Sequence, residues 1–130
     1  MADRVLRVLV VDDDRDIINQ VHAFLKGPTF EIVVAEQVIE AVSTFEELKP
    51  ELVLLDIGLP GPSGFVGLRK IRSLAESEKR DVCIIMLTGR SAREDVTTAL
   101  AYGATDYLVK PFNRAALLGK IQRHFPRAVQ

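Results

Sequence analysis

Asp12-Asp13, Asp56, Thr88 and Lys110 are the residues of this chain best suited to chemistry, and each stands at or just past the carboxyl end of a short apolar run. In a parallel α/β sheet those ends converge on one edge, where ligands bind. One pocket would then hold three carboxylates, a hydroxyl and an ammonium. Carboxylate oxygens suit a hard divalent cation, while an amine and a hydroxyl can stabilise the oxygens of a phosphoryl group.

The elements that must position these groups alternate regularly. Val5 to Val11, Phe30 to Ala35, Leu52 to Leu55, Val82 to Leu87 and Tyr107 to Val109 read as strands, most of them nearly continuous apolar runs of the kind buried on both faces. Between them run helical stripes. Ile17, Ile18, Val21, Phe24 and Leu25 share one face, with Asp14 as N-cap and Gly27-Pro28 as the stop. Val38, Ala41, Val42, Phe45 and Leu48 form a second stripe, closed by Pro50, and Leu68, Ile71 and Ala75 a third. Ala92, Val96, Ala99 and Leu100 form a fourth, opened by the capping-box pattern Ser91-x-x-Glu94. Leu117, Leu118, Ile121 and Phe125 form the fifth. Five strand-helix units imply right-handed crossovers and one doubly wound α/β domain over residues 1–130, a (βα)5 unit with a five-stranded parallel sheet and helices on both faces; the order expected for it, 2-1-3-4-5, is taken over from a common order of such sheets and does not follow from the pattern itself. Its switch point, between strands one and three, falls at Asp12-Asp13 and Asp56.

Composition narrows the function classes. A chain of 130 residues with 48% hydrophobic content suits a single core. With 17 basic and 18 acidic residues it has no basic footprint for direct nucleic acid binding. No apolar run reaches the roughly 18 residues of a membrane span, and the amino terminus lacks a signal-peptide pattern, so a cytoplasmic location without membrane insertion is expected. Cys83, the single cysteine, lies inside an apolar strand and reads as a buried, inert thiol. His22 and His124 have no second ligand at zinc spacing, and Gly58, Gly61, Gly64 and Gly67 fit neither a P-loop nor a dinucleotide fingerprint. Taken singly, the key residues have plain explanations: a polar loop, a Gly/Pro turn after Asp56, a turn at Thr88-Gly89 and a solvated Lys110.

Together they resemble a known family. Leu9-Val10-Val11-Asp12-Asp13-Asp14, Leu54-Leu55-Asp56-Ile57-Gly58-Leu59-Pro60 with Gly64, Met86-Leu87-Thr88-Gly89, and Gly103-Ala104-Thr105-Asp106-Tyr107-Leu108-Val109-Lys110-Pro111-Phe112 are similar to the signature stretches of the receiver domain of bacterial two-component response regulators. The similarity spans nearly the whole chain. Arg15, Ser63 and Val38 depart from the family's frequent proline, aspartate and glycine at positions that carry no chemistry.

The resemblance implies that Asp56 is the phosphoacceptor, taking a phosphoryl group from the phosphohistidine of a histidine kinase or phosphotransfer protein. It implies a Mg²⁺ cofactor, replaceable by Mn²⁺, held by Asp12, Asp13, Asp56 and the main-chain carbonyl of Gly58. Lys110 and Thr88 would contact phosphoryl oxygens. Thr88 and Tyr107 would form the switch that alters the surface of the fourth helix, fifth strand and fifth helix, where an effector domain or a second copy would dock. Arg90, Arg93, Tyr102, Asp106 and Lys120 are candidate groups on that surface. Gly58 and Arg90, two residues past the acceptor and the threonine, would set the dephosphorylation rate, and the absent side chain at Gly58 implies slow autodephosphorylation. Lys110-Pro111 is a candidate cis bond. The chain is thus not expected to be an enzyme beyond Mg²⁺-dependent self-phosphorylation and slow dephosphorylation. Two other readings remain in competition: a haloacid-dehalogenase-like phosphatase with Asp12 as nucleophile, and a receiver-like interaction module that is never phosphorylated.

Overall fold

The computed structural model describes residues 5–89 and 93–127. Its elements follow in the order β1 (Leu6–Val11), α1 (Arg15–Phe24), β2 (Phe30–Ala35), α2 (Val38–Leu48), β3 (Leu52–Asp56), α3 (Gly64–Ser77), β4 (Cys83–Thr88), α4 (Arg93–Ala101), β5 (Asp106–Val109) and α5 (Arg114–His124). The strands form one parallel sheet, as the sequence pattern predicts, in the expected order β2-β1-β3-β4-β5. The expected strand limits shift by a residue or so. Val5 is half exposed and lies outside β1, and Val82 precedes β4. At the functional ends β3 and β4 run one residue further than expected, so that Asp56 and Thr88 are themselves strand residues.

Side chains alternate across the sheet because successive residues of a strand face opposite sides. Leu9, Val11, Val53, Leu55, Ile84 and Met86 point to one layer, where Val38, Ala41 and Phe45 of α2, Leu68, Ile71 and Ala75 of α3, and Ala99 of α4 cover them. Val8, Val10, Leu52, Leu54, Ile85 and Leu87 point to the other, against Ile17 and Val21 of α1, Leu25, and Leu117 and Ile121 of α5. Each fully buried Leu, Ile or Val contributes about 1.5–3 kcal/mol relative to exposure. This double-sided burial holds the strand ends in fixed register, with Val11 opposite Leu55, Asp56 opposite Leu87 and Thr88 opposite Val109.

Local signals set most helix limits. The Asp14 side chain caps α1 by accepting from Asp16 N at 2.9 Å, and Gly27, at φ 122°, turns the chain beyond it. Lys49 ends α2 in the left-handed conformation just before Pro50. Asn113 caps α5 by accepting from Ala116 N at 2.8 Å. The capping box at Ser91 and the apolar residue Ala92 lie outside the described residues. Leu100, expected in the buried stripe of α4, is instead 47% exposed, because the stripe closes on Ala99 and the following position rotates away.

Arg72 ties α3 to the segment entering β5. Its guanidinium donates to the carbonyls of Gly103 (2.8 Å) and Val82 (2.9 Å) and to Thr105 Oγ1 (3.2 Å). Gly103 has φ 105°, and a Cβ there would come within 2.9 Å of Arg72 Cγ. The edges of the sheet differ: β5 has only four residues, whereas β2 has six and places Glu31 beside Arg7 of β1 in an ion pair.

Candidate phosphoacceptor site

The acids, hydroxyl and ammonium do converge at the carboxyl edge. Asp12 follows β1 directly, is fully buried, and is fixed by its own N–H donating to the Ala35 carbonyl at 3.1 Å while its Oδ1 accepts from Asp14 N at 2.9 Å. Asp13, next along, is exposed at the rim. Asp56 ends β3 and is 7% exposed; Oδ1 accepts from Gly58 N at 3.1 Å. Beyond it, Ile57 N donates to the Leu87 carbonyl at 3.0 Å and the Ile57 carbonyl accepts from Gly64 N at 3.0 Å. That last bond folds the Gly/Pro loop back beneath Asp56. The approach is so close that a Cβ on Gly64 would lie 2.1 Å from the Asp56 carbonyl oxygen.

Lys110 enters from β5. Its backbone N–H donates to the Thr88 carbonyl at 2.7 Å, and the Lys110-Pro111 bond is cis, as expected. Nζ lies 2.8 Å from Asp12 Oδ2 and 3.2 Å from Asp56 Oδ1, so one ammonium bridges the two buried carboxylates. The ammonium leaves the buried Oδ2 of Asp12 with acceptor capacity to spare. Desolvation pushes the Asp12 carboxyl above its ordinary range; nearby Asp56 adds to the rise, and the hydrogen-bonding reach of Lys110 and Asp14 N only partly offsets it. For Lys110, burial alone would lower the ammonium, but Asp12 and then Asp56 outweigh it and the net direction is upward. The lysine therefore stays charged throughout the physiological range.

Oxygen atoms of Asp12, Asp13 and Asp56 lie within 4.8 Å of one another. A buried oxygen with spare acceptor capacity, grouped with two further carboxylates, fits a hard divalent cation that prefers oxygen ligands and retains water. On the other side of Asp56 opens a cavity of about 450 Å³, lined by Asp56, Ile57, Gly58, Thr88, Gly89, Asp95 and Lys110. Asp95 went unnoticed in the sequence. Its signal was its place in the first turn of the helix that follows Thr88, which turns that residue toward the strand ends. Arg90 lies outside the described residues, as does the side chain of Arg93.

Tyr107, the expected switch aromatic, is half-buried on β5, packs against the core beneath α4, and pairs in register with Met86. Lys120 Nζ sits 4.8 Å from its ring centroid. The same ammonium is held by Asp106 Oδ1 at 2.8 Å, and Asp106 Oδ2 lies 2.9 Å from His124 Nε2. Burial would raise the Asp106 carboxyl, yet Lys120, His124 and the Tyr107 N–H together bring it below the ordinary carboxylate range. The sequence put Asp106 and Lys120 forward as surface groups, but Asp106 is instead buried, because Lys120 and His124 close over it as its ionic partners. Cys83 is buried, and desolvation raises its thiol to about 11, in keeping with an inert role. Among the described residues no helix is long and apolar enough to cross a membrane.

A doubly wound five-stranded sheet carrying an acid pair, an isolated acid, a hydroxyl and a lysine at its carboxyl edge defines a phosphoacceptor module. The chain belongs to the response regulator receiver domain family, whose sequence model matches residues 8–122. It is 37% identical over 121 residues to the DNA-binding response regulator MtrA of Mycolicibacterium paratuberculosis, an alignment covering 93% of this chain and 52% of that protein. To the phosphate regulon transcriptional regulatory protein PhoB of Escherichia coli it is 38% identical over 128 residues, covering 95% and 55%. Among solved structures, the chemotaxis response regulator CheY4 of Vibrio cholerae superimposes with a TM-score of 0.84 at 30% identity, covering 92% of this chain and 98% of that one. A CheY-like receiver domain protein from Methanospirillum hungatei gives 0.85 at 30% identity, covering 96% and 97%. The chain spans about half the length of the curated relatives it matches. Membership of this family places it in two-component signalling and disfavours both the dehalogenase-like phosphatase and the unphosphorylated module.

Proposed function

We propose that Asp56 is the residue that accepts the phosphoryl group, with a histidine kinase or phosphotransfer protein as donor. The observation that carries this reading is the Lys110 ammonium, poised 3.2 Å from Asp56 Oδ1 at the wall of a cavity that Thr88 also lines. In the reaction, an Asp56 oxygen forms a bond to phosphorus as the bond from phosphorus to the donor nitrogen breaks. The Lys110 ammonium neutralises charge growing on the phosphoryl oxygens, and the Thr88 hydroxyl donates to one of them. Asp12, Asp13, Asp56 and the Gly58 carbonyl would hold Mg²⁺, or Mn²⁺ in its place, which when bound supplies further neutralisation of the phosphoryl oxygens.

Phosphorylation is then reported through Thr88 and Tyr107 to the face formed by α4, β5 and α5. An effector domain or a second copy is the expected reader of that face. The net charge of −1 supports the absence of direct contact between this stretch and nucleic acid. DNA binding belongs to the names of relatives about twice as long. A cytoplasmic setting, where phosphodonor kinases act, fits this role.

Incubation with acetyl phosphate and Mg²⁺ followed by peptide mass spectrometry tests the assignment. A phosphoryl adduct on Asp56, lost in Asp56→Asn, is the expected result. An adduct on Asp12 would favour the phosphatase reading, and no adduct would favour the unphosphorylated module.

A further inference from the structure

The cavity beside Asp56 is wide on the side of residue 58. A Cβ built on Gly58 would meet only Asp56 Oδ1, at 3.9 Å, and nothing else within 4 Å. Position 58 itself puts no side chain into that space, and about 450 Å³ remains for a phosphoryl group and several waters, each needing roughly 30 Å³. Of the residues that line the cavity, Ile57, Gly58 and Gly89 offer only backbone or apolar groups, Lys110 is a cation, and Thr88 has a hydroxyl. Asp56 is the proposed acceptor itself. Asp12 does not line this cavity and is engaged with Lys110 and Asp14 N, while Asp13 sits at the rim beside Asp12. Among the described residues, Asp95, from the first turn of α4, is the one lining side chain left that can accept a proton.

We propose that Asp95 holds and deprotonates the water that hydrolyses the aspartyl phosphate, so that this chain times its own signal from α4 rather than from the acceptor loop. The proposal rests on the reading of Asp56 as phosphoacceptor. In the step, the water oxygen forms a bond to phosphorus while the bond from phosphorus to the Asp56 oxygen breaks, its electron pair returning to the Asp56 carboxylate. The water proton passes to the Asp95 carboxylate and on to solvent, and inorganic phosphate leaves. A carboxylate fits this task because it accepts the proton as the water becomes nucleophilic. Its distance in sequence from the acceptor also gives the arrangement a consequence: anything that docks on α4 and shifts its first turn changes the lifetime of the phosphoryl group.

The test measures the decay of phosphorylated full chain after acetyl phosphate is removed, so that donor uptake does not enter the rate. Asp95→Ala is expected to lengthen the lifetime roughly tenfold to a hundredfold, below the gain usual for enclosed acid–base sites because this cavity is open to solvent. Asp95→Asn, which keeps size and hydrogen bonding but lacks a basic carboxylate, is expected to decay nearly as slowly. Asp95 also sits where it favours the helix dipole, so a purely structural role must be told apart. Added formate should re-accelerate decay of Asp95→Ala by supplying a carboxylate in the vacated space, which would not follow from helix stabilisation. Decay of both variants at the wild-type rate overturns the proposal, as does slow decay that formate leaves unchanged. Failure of the wild-type chain to gain phosphate at Asp56 is a separate result, visible before any decay is measured, and removes both readings together.

Discussion

Gly64→Ala should do more damage than its single methyl group suggests. The added Cβ would stand 2.1 Å from the Asp56 carbonyl oxygen, 2.7 Å from Ile57 Cα and 2.9 Å from the Asp56 carbonyl carbon, all of them backbone atoms that no rotamer change can move aside. Carbon and oxygen in ordinary contact sit a little over 3 Å apart, so the start of α3 and the end of β3 must separate by about 1 Å. Forced overpacking of this kind costs about 1–3 kcal/mol, and losing the 3.0 Å bond from Gly64 N to the Ile57 carbonyl adds about 1 kcal/mol. For a domain of this size the sum corresponds to a fall in Tm of roughly 6–15 °C. Moving the acceptor by 1 Å also spoils its alignment with Lys110 and should slow phosphorylation on the order of a hundredfold. Gly67→Ala is the control, since its Cβ would meet only side chains, Val38 Cγ2 at 3.3 Å and Leu55 at 3.6 Å. Thermal denaturation and acetyl phosphate labelling of the two variants in parallel give the answer. If Gly64→Ala melts within a degree of wild type and labels at a similar rate, the close approach does not constrain the site.

Three further outcomes are expected. Asp13→Ala should weaken Mg²⁺ binding at least about tenfold by calorimetric titration, because an oxygen ligand is removed while the buried Asp12 and Asp56 stay in place; equal affinity would exclude Asp13 from the ligand set. Thr88→Ala should still accept phosphate, yet lose a hydrogen bond to a charged oxygen that is worth about 1.5–3 kcal/mol, enough to shift a two-state population tenfold or more. Chemical-shift changes on phosphorylation should then stay near Asp56 instead of reaching Tyr107, and identical patterns in both proteins would refute the coupling. Asp106 has a lowered folded-state pKa, so the stability it contributes is present above the ordinary value of 3.8 and is lost as pH falls through the folded value. Asp106→Asn should accordingly show a shallower acid loss of urea stability below pH 3.8, by up to about 1.4 kcal/mol per pH unit, and an unchanged slope would show that the pair with Lys120 does not govern acid unfolding.

Periodicity and turn chemistry carried most of the architecture. The strands of β1, β3 and β4 are apolar on both faces and could be read without tertiary information, and Asp14 and Gly27-Pro28 mark the limits of α1 through local backbone requirements alone. Asp12, Asp56, Thr88 and Lys110 were legible because a parallel sheet brings strand ends together whatever the intervening helices do. What depended on distance in space was not legible. Asp95 looks like any acid in a first helical turn until the cavity is seen. Asp106, Lys120 and His124 acquire meaning only when β5 and α5 pack, and Arg72 only when α3 meets the segment before β5. Leu100 shows the reverse error, an apolar residue whose type suggested burial while its angular position on α4 put it outside.

The unequal edges of the sheet bear on how such a chain survives at high concentration. An edge strand presents unpaired backbone groups to any other extended chain, and a fully parallel sheet necessarily has two such borders. At β5 the border is too short to template a long pairing, with four residues ending in a Lys-Pro step that cannot extend the ladder. At β2 the border is longer, and there Glu31 and its partner Arg7 set charge in the path of an incoming strand. Charge on that margin works against edge-to-edge pairing with another extended chain.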